Sequence, residues 1–201
     1  GFSRLILERE LSLDAVRDIV SAVPDREIEF FVHGALCVCY SGQCSLSESI
    51  TGRSANRGAC AQACRSRYDL MDREGNLLIR DKALLSLKDY NLIGRLGELA
   101  GAGVTSFKIE GRLKNESYVR NVVRAYSEAI DRLVAERGDI YRRASFGRVG
   151  KAFEPVLDKT FNRGYTELFL DGKRGFWASM ESAKGMGEMV GTVESVSGDK
   201  S

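Results

Sequence analysis

The sequence predicts an α/β protein built on parallel strands. Short apolar runs alternate with amphipathic helical segments in the order strand, helix, strand, joined by brief connections, and that alternation is the mark of βαβ units. The longest periodic segment, residues 115–136, follows another apolar run, which places a second βα unit later in the chain. Between the two units lies a stretch of different character. All five cysteines of the 201-residue chain, and its single histidine, fall between His33 and Cys64.

Taken in order, Arg4 to Leu7 reads as a short buried strand. Ser12 is an N-cap for a helix whose Leu13, Val16, Ile19 and Val20 recur at helical spacing. Pro24-Asp25 ends that helix, and Glu27 to Val32 is the second strand. Residues 34–67 are rich in Gly, Ser and Cys with little periodicity, as expected of a long loop that carries a site. Tyr68 to Arg80 reads as a hairpin turning at Glu74-Gly75-Asn76. A short segment, Ser86 to Tyr90, leads to a helix over Leu92 to Ala100, and Val104 to Ile109 is the next strand. The helix from Asn115 to Glu136 carries Tyr118, Val119, Val122, Val123, Tyr126, Ile130 and Leu133 on one stripe. Beyond Gly138 the chain is basic and irregular, Phe161-Asn162-Arg163-Gly164-Tyr165 reads as a compact turn, and Gly191 to Val196 alternates like a strand.

A formal net charge of +2 argues against a dedicated polyanion binder and leaves room for local basic patches. No apolar run has membrane-spanning length and no signal peptide is visible, so the expected location is cytoplasmic, where thiols stay reduced and bind metal more often than they pair. The chain opens without Met in a strand-like run and ends as another strand begins, the expectation for a piece of a longer protein.

Clustered cysteines at these spacings point to a site built from sulfur. Cys60 and Cys64 are four apart, so one helical turn would set both on one face, while Cys37 and Cys44 come from a loop able to wrap around a centre. Four thiolates suit a tetrahedral zinc or an iron–sulfur cluster about equally, and buried structural cysteines are the alternative.

The stretch Glu29, Phe31, His33-Gly34-Ala35-Leu36-Cys37, Tyr40-Ser41-Gly42, Cys44 and Leu46-Ser47 resembles the signature of the collagenase-like peptidase family U32. Gly52-Arg53-Ser54-Ala55-Asn56-Arg57-Gly58-Ala59-Cys60 through Cys64-Arg65, and Ser106 through Lys114, resemble it as well. The resemblance implies a TIM-type (β/α) barrel, here its C-terminal half at residues 1–140 with an iron–sulfur loop at 34–67. An irregular basic and aromatic extension over 141–190 and the start of a truncated β module at 191–201 would follow. It implies an RNA hydroxylation enzyme that depends on prephenate as co-substrate and on the iron–sulfur assembly machinery. The ribosomal branch, acting on a pyrimidine of 23S rRNA, is favoured over tRNA uridine hydroxylation by the Arg53 to Gly58 and Phe161 to Tyr165 segments. Carried over, the ligands of a four-iron, four-sulfur cluster are Cys37, Cys44, Cys60 and Cys64, with Cys39 as a spare.

A barrel has its active site at the C-terminal strand ends. His33 follows one predicted strand, and Lys108, Glu110 and Arg112 alternate along the end of another, so these four are the expected catalytic group, the two cations flanking a carboxylate to hold a dicarboxylate such as prephenate. Structural ion pairing of these residues, and a structural role for His33 and Glu29, are the alternatives. RNA contacts are expected from Arg53, Arg57, Arg65 and Arg67, and from Arg142, Arg143, Arg148 and Lys151 with Tyr141 and Phe146 interleaved, unless these are solvated faces. The second function class is a peptidase, for which Cys37 and His33 would form the thiol–imidazole pair. No Gly-x-Ser-x-Gly or His-Glu-x-x-His motif supports it. A half-barrel would expose apolar edges, so self-association of the chain is expected.

Overall fold

The computed structural model describes residues 1–111, 113–144, 146–147, 150, 153–173, 175–182, 184–187 and 191–195. Strand β1 (Arg4–Ile6), helix α1 (Leu13–Ala22) and strand β2 (Glu27–Gly34) form the predicted βαβ unit, with β1 and β2 parallel and Ile6 opposite Glu29. The Ser12 hydroxyl accepts the Ala15 N–H at 3.2 Å and caps α1. A short helix α2 (Leu46–Thr51) and two 3-10 turns, Ala55–Arg57 and Ala63–Arg65, lie within the cysteine stretch, so the loop is more structured than its composition suggests. Strands β3 (Tyr68–Met71) and β4 (Leu77–Lys82) make the expected hairpin, Gly75 taking the left-handed turn position. Strand β5 (Asp89–Asn91), helix α3 (Leu96–Gly101), strand β6 (Ser106–Ile109), helix α4 (Glu116–Glu136) and strand β7 (Tyr165–Thr166) complete the elements.

Strand β2 is the spine of the main sheet. It pairs in parallel with β1 and with β6, and its last two residues pair antiparallel with β5, which in turn carries β7 in parallel. Ile28, Phe30 and Val32 are fully buried, in one core cluster with Leu13 and Val16 of α1, Leu96 and Leu99 of α3, and Tyr118, Val122 and Tyr126 of α4. Alternation along β2 puts these three on one face, and burying an apolar strand face under amphipathic helices is the main favourable term here. Tyr126 closes the seam, its hydroxyl donating to the Val32 carbonyl at 2.9 Å and accepting the Leu92 N–H at 3.3 Å.

Several expectations change. The helix expected from Leu92 starts as a 3-10 turn, Ile93–Arg95, and becomes α-helical at Leu96. Val119 and Val123 fall off the buried stripe of α4 and are exposed. Ser86 to Tyr90 ends in a strand, and the Phe161 to Tyr165 turn leads into β7, which joins the same sheet, while Leu168 and Leu170 enter the same core. Residues 191–195 form no strand, and Val196, Arg148 and Lys151 lie outside the described residues.

A buried ion pair ties the C-terminal segment to the sheet. The Arg163 guanidinium meets Asp89 at 2.9 Å with both side chains about 5 % exposed, and the Arg163 N–H donates to the other carboxylate oxygen at 2.9 Å. Removing one partner of such a pair leaves an uncompensated buried charge. Arg163→Met is therefore expected to lower unfolding stability by about 3–5 kcal/mol in urea titrations; a loss below about 1 kcal/mol would mean that the pair is not what fastens β7 to β5.

Candidate functional site

The site begins where β2 and β6 end. Gly34 has φ +127°, and a Cβ built there would sit 2.8 Å from the Glu110 Cβ, so only glycine lets the two strand ends lie this close. The Glu110 N–H donates to the His33 carbonyl at 2.9 Å. From Gly34 the chain enters the cysteine loop, which is folded onto this end of the sheet by polar side chains. Arg65 donates to the Leu36 carbonyl at 2.6 Å, the Leu87 carbonyl at 2.7 Å and the Ser86 hydroxyl at 2.9 Å. The Asn56 amide brackets Cys44, accepting its N–H at 2.9 Å and donating to its carbonyl at 3.1 Å. Ser47, wholly buried, donates to the Arg53 carbonyl and accepts the Ala61 N–H.

These restraints gather the sulfur. The Sγ atoms of Cys37, Cys39 and Cys44 all lie within 4.8 Å of one another. Cys37, Cys60 and Cys64 line one cleft of about 560 Å³. Burial raises the Cys64 pKa against the opposing charge of Arg65, and Cys37, Cys60 and Cys44 push it further up, so the thiols share one electrostatic neighbourhood. Cys44 is held below its ordinary value, first by the Ser47 backbone N–H, while burial pushes Cys39 up to about 11. The Gln62 N–H donates to the Cys60 sulfur at 3.3 Å.

The rest of the cleft lining is cationic and aromatic. Glu110, Lys114 and Asn115 come from the β6–α4 connection, Tyr118 from the first turn of α4, Phe161 and Arg163 from the segment before β7, and Arg9 from the β1–α1 connection. The Lys114 ammonium stands 3.4 Å above the Phe161 ring centroid, and Arg163 lies 4.9 Å from the same ring. Burial lowers the pKa of Lys114; Asp89 and Glu110 oppose that shift, and the charges of Arg163 and Arg65 add to it. The Arg9 Nε and the Glu110 Oε2 are buried with no hydrogen-bond partner among the described residues.

The expected site residues are thus only partly brought together. Cys37, Cys60, Cys64 and Glu110 share the cleft, while Cys44 lies behind it, grouped with Cys37 and Cys39. Cys60 and Cys64 do not share a helical turn: Gln62 adopts a left-handed conformation between them, and only Cys64 lies in the 3-10 turn. Lys108 is exposed and does not line the cleft, because Phe107 and Ile109 take the core side of β6 and leave Lys108 on the other face, opposite Phe31. His33 is buried behind the cleft, its ring 5.4 Å from Tyr126, 5.7 Å from Tyr165 and 6.2 Å from Tyr118, with Nδ1 3.3 Å from the Tyr126 hydroxyl. Arg112 lies outside the described residues. Of the arginines expected to contact RNA, Arg65 is engaged with the backbone of its own chain, Arg67 pairs with Asp81 at 2.9 Å and Arg143 with Asp131 at 3.4 Å. Lys114, Arg163 and Arg9 were not expected in the site. Their convergence is tertiary, and the position of Lys114 directly before the Asn115 cap of α4 is the one local signal.

Thiolate-rich donors around a cleft fit a metal centre. The compact group Cys37, Cys39 and Cys44 has the spacing to share one tetrahedral ion, while Cys37, Cys44, Cys60 and Cys64 offer the wider set that a cluster needs. Cys37 and Cys44 belong to both.

An α/β sheet with a thiol-lined cleft at its strand ends is the frame in which the comparisons with known proteins fall. The family model described as peptidase family U32 matches residues 1–178, and the chain belongs to that family. Among its relatives, the 23S rRNA 5-hydroxycytidine C2501 synthase of Escherichia coli is 49% identical over 199 residues, covering 99% of this chain and 30% of that protein. The tRNA hydroxylation protein P1 of Bacillus subtilis is 37% identical, over 90% of this chain and 42% of the relative. A protein named collagenase from Porphyromonas gingivalis is 38% identical, over 86% and 43%. The chain thus spans less than half the length of each of these relatives. No solved structure matches it. Among the described residues no helix is long and apolar enough to cross a membrane.

Burial lowers the His33 pKa from the usual 6.5 to about 4, against a raising hydrogen bond from Asn91. The unfolded chain therefore binds this proton first as the pH falls, and the stability that neutral His33 contributes is intact above about pH 6.5 and lost toward pH 4. Between pH 7 and 5 the loss is about 2 kcal/mol in denaturant titrations, and His33→Gln flattens that slope; an unchanged slope would place the titration elsewhere. Gly34→Ala, which forces a Cβ against Glu110, is expected to cost about 2 kcal/mol or more, whereas an alanine variant as stable as the parent would show that the strand ends are not in contact.

Proposed function

We propose that this chain is the sulfur-bearing part of an RNA hydroxylation enzyme that modifies a pyrimidine of 23S rRNA. The observation that carries the reading is the cleft itself, where cysteine thiols and cationic and aromatic side chains line one space at the strand ends. The 49% identity to the E. coli 23S rRNA 5-hydroxycytidine C2501 synthase, above the 37% to the B. subtilis tRNA hydroxylation protein, supports the ribosomal substrate. The parallel order β1, β2, β6 with its site at the strand ends supports a place in a TIM-type barrel.

In this reading Cys37, Cys44, Cys60 and Cys64 hold a four-iron, four-sulfur cluster, delivered by the iron–sulfur assembly machinery, and Cys39 stands beside it. Such a cluster, when bound, supplies electron transfer or an open iron position. The chain's own residues do the rest. Gln62 and Ser47 present backbone N–H groups to Cys60 and Cys44, and that of Ser47 favours the Cys44 thiolate. Arg65 holds the loop against the sheet and sets its charge beside Cys64. Lys114 and Arg163 make the facing wall attractive to an anionic co-substrate, for which prephenate is the proposed molecule. Exposed Arg53 and Arg57 on the cysteine loop are placed to meet RNA phosphates.

A thiol peptidase is the less favoured reading. His33 engages Tyr126 rather than Cys37, and burial keeps it neutral in the folded chain, so the nucleophile–base pair that such chemistry needs is not assembled. Nucleoside mass spectrometry of 23S rRNA from a strain lacking the full-length gene tests the proposal. Loss of 5-hydroxycytidine, restored by the wild-type gene and not by a Cys64→Ser copy, is expected; hydroxycytidine and hydroxyuridine both unchanged by the deletion would contradict it and reopen the peptidase reading.

A further inference from the structure

The half-buried Lys114 has no carboxylate within ion-pair distance among the described residues. Of the acids whose charge reaches it, Asp89 is joined to Arg163 at 2.9 Å, and the Glu110 Oε2 is enclosed with no hydrogen-bond partner among the described residues. What Lys114 does have is aromatic, the Phe161 face at 3.4 Å and the Tyr118 ring at 5.5 Å. Ring faces attract a cation and fix its position, but they leave its charge uncompensated. Arg163, Arg65 and Arg9 line the same cleft and add positive potential, and the N-terminus of the 21-residue helix α4 opens onto it at Asn115.

We infer that Lys114 is the anchor for a carboxylate of a small organic anion that enters this cleft, with Phe161 as its floor and Tyr118 and Leu113 as apolar walls. Two features select a small carboxylate over a polynucleotide phosphate. The cation is recessed in a concavity of about 560 Å³ with Leu36, Leu113, Phe161 and Tyr118 around it, a lining that suits a compact molecule with apolar surface. Phosphates of a long chain are met at exposed cations, and this chain presents those elsewhere, at Arg53 and Arg57. The anchor lines the same cleft as Cys37, Cys60 and Cys64, so a molecule held by Lys114 shares that space with the thiols. The inference builds on the proposed function for what the bound molecule is used for; binding itself does not depend on that reading.

Calorimetric titration of the chain with prephenate, inorganic phosphate and a single-stranded cytidine-containing oligonucleotide, for wild type, Lys114→Met and Lys114→Arg, tests it. Lys114→Met is expected to weaken prephenate binding at least about tenfold and Lys114→Arg to keep it within about threefold, with the oligonucleotide unaffected by either. Lys114→Gln carries the same test should the methionine variant not fold. Prephenate binding unchanged in Lys114→Met, no prephenate binding to wild type, or phosphate binding as tightly as prephenate would each overturn the inference. So would a variant that loses the oligonucleotide in place of prephenate, which would make Lys114 an RNA contact. Hydroxycytidine formation that persists with unchanged kinetics in a full-length Lys114→Met enzyme would remove the anchor and leave the RNA reading standing. Lys114-dependent prephenate binding, with hydroxycytidine unchanged by deletion of the gene, would do the reverse.

Discussion

The close approach of Gly34 to Glu110 is the constraint on which the rest of the site depends. Without a Cβ at position 34, the end of β2 lies against the residue that follows β6, and the two connections leaving those strands emerge side by side. One connection carries the cysteines and the other carries Lys114 and Asn115 and leads into α4 with Tyr118. A side chain at 34 would separate them, and the thiols would then face solvent in place of a cationic wall. Strand β2 can serve this purpose because its position in the sheet is over-determined by β1, β5 and β6 as neighbours and by the Tyr126 hydroxyl on Val32.

The electrostatics of the two walls are complementary. Arg65, Arg163, Lys114 and Arg9 crowd one space, and burial together with mutual repulsion lowers the pKa of Arg65 and of Lys114. Among the sulfurs burial favours the protonated forms of Cys64 and Cys39, while the backbone N–H of Ser47 favours the thiolate of Cys44. The cations would therefore gain from a carboxylate placed among them, and a metal cation would offset the burial that keeps those sulfurs protonated. Binding to the folded chain alone also stabilises it by mass action.

Much of this was legible in the sequence, and the reasons that some was not are local. Helices α1 and α4 and strand β2 announce themselves because long amphipathic periods and real caps, Ser12 and Asn115, coincide. The sulfur site is visible because all five cysteines and the single histidine gather in one stretch, which cysteines scattered through a core would not do. Strands β5 and β7 are three and two residues long, too short for a period, and β5 begins with a buried aspartate that only Arg163, far along the chain, makes tolerable. Lys108 misleads because alternation gives the face of a side chain relative to its neighbours and not which face holds the site. His33 looks catalytic in a motif beside a cysteine, yet the tyrosines that enclose it come from α4 and β7.

Spectroscopy of the anaerobically reconstituted chain tests most directly whether the cysteine loop holds the proposed iron–sulfur cluster. Incubation with iron and sulfide, followed by metal and sulfide analysis and EPR of the reduced sample, should give a four-iron, four-sulfur signal that Cys60→Ser or Cys64→Ser abolishes. A chain that instead retains a single zinc, takes up no inorganic sulfide and is indifferent to Cys60 and Cys64 would contradict it, and would leave the Cys37, Cys39 and Cys44 group as the metal site.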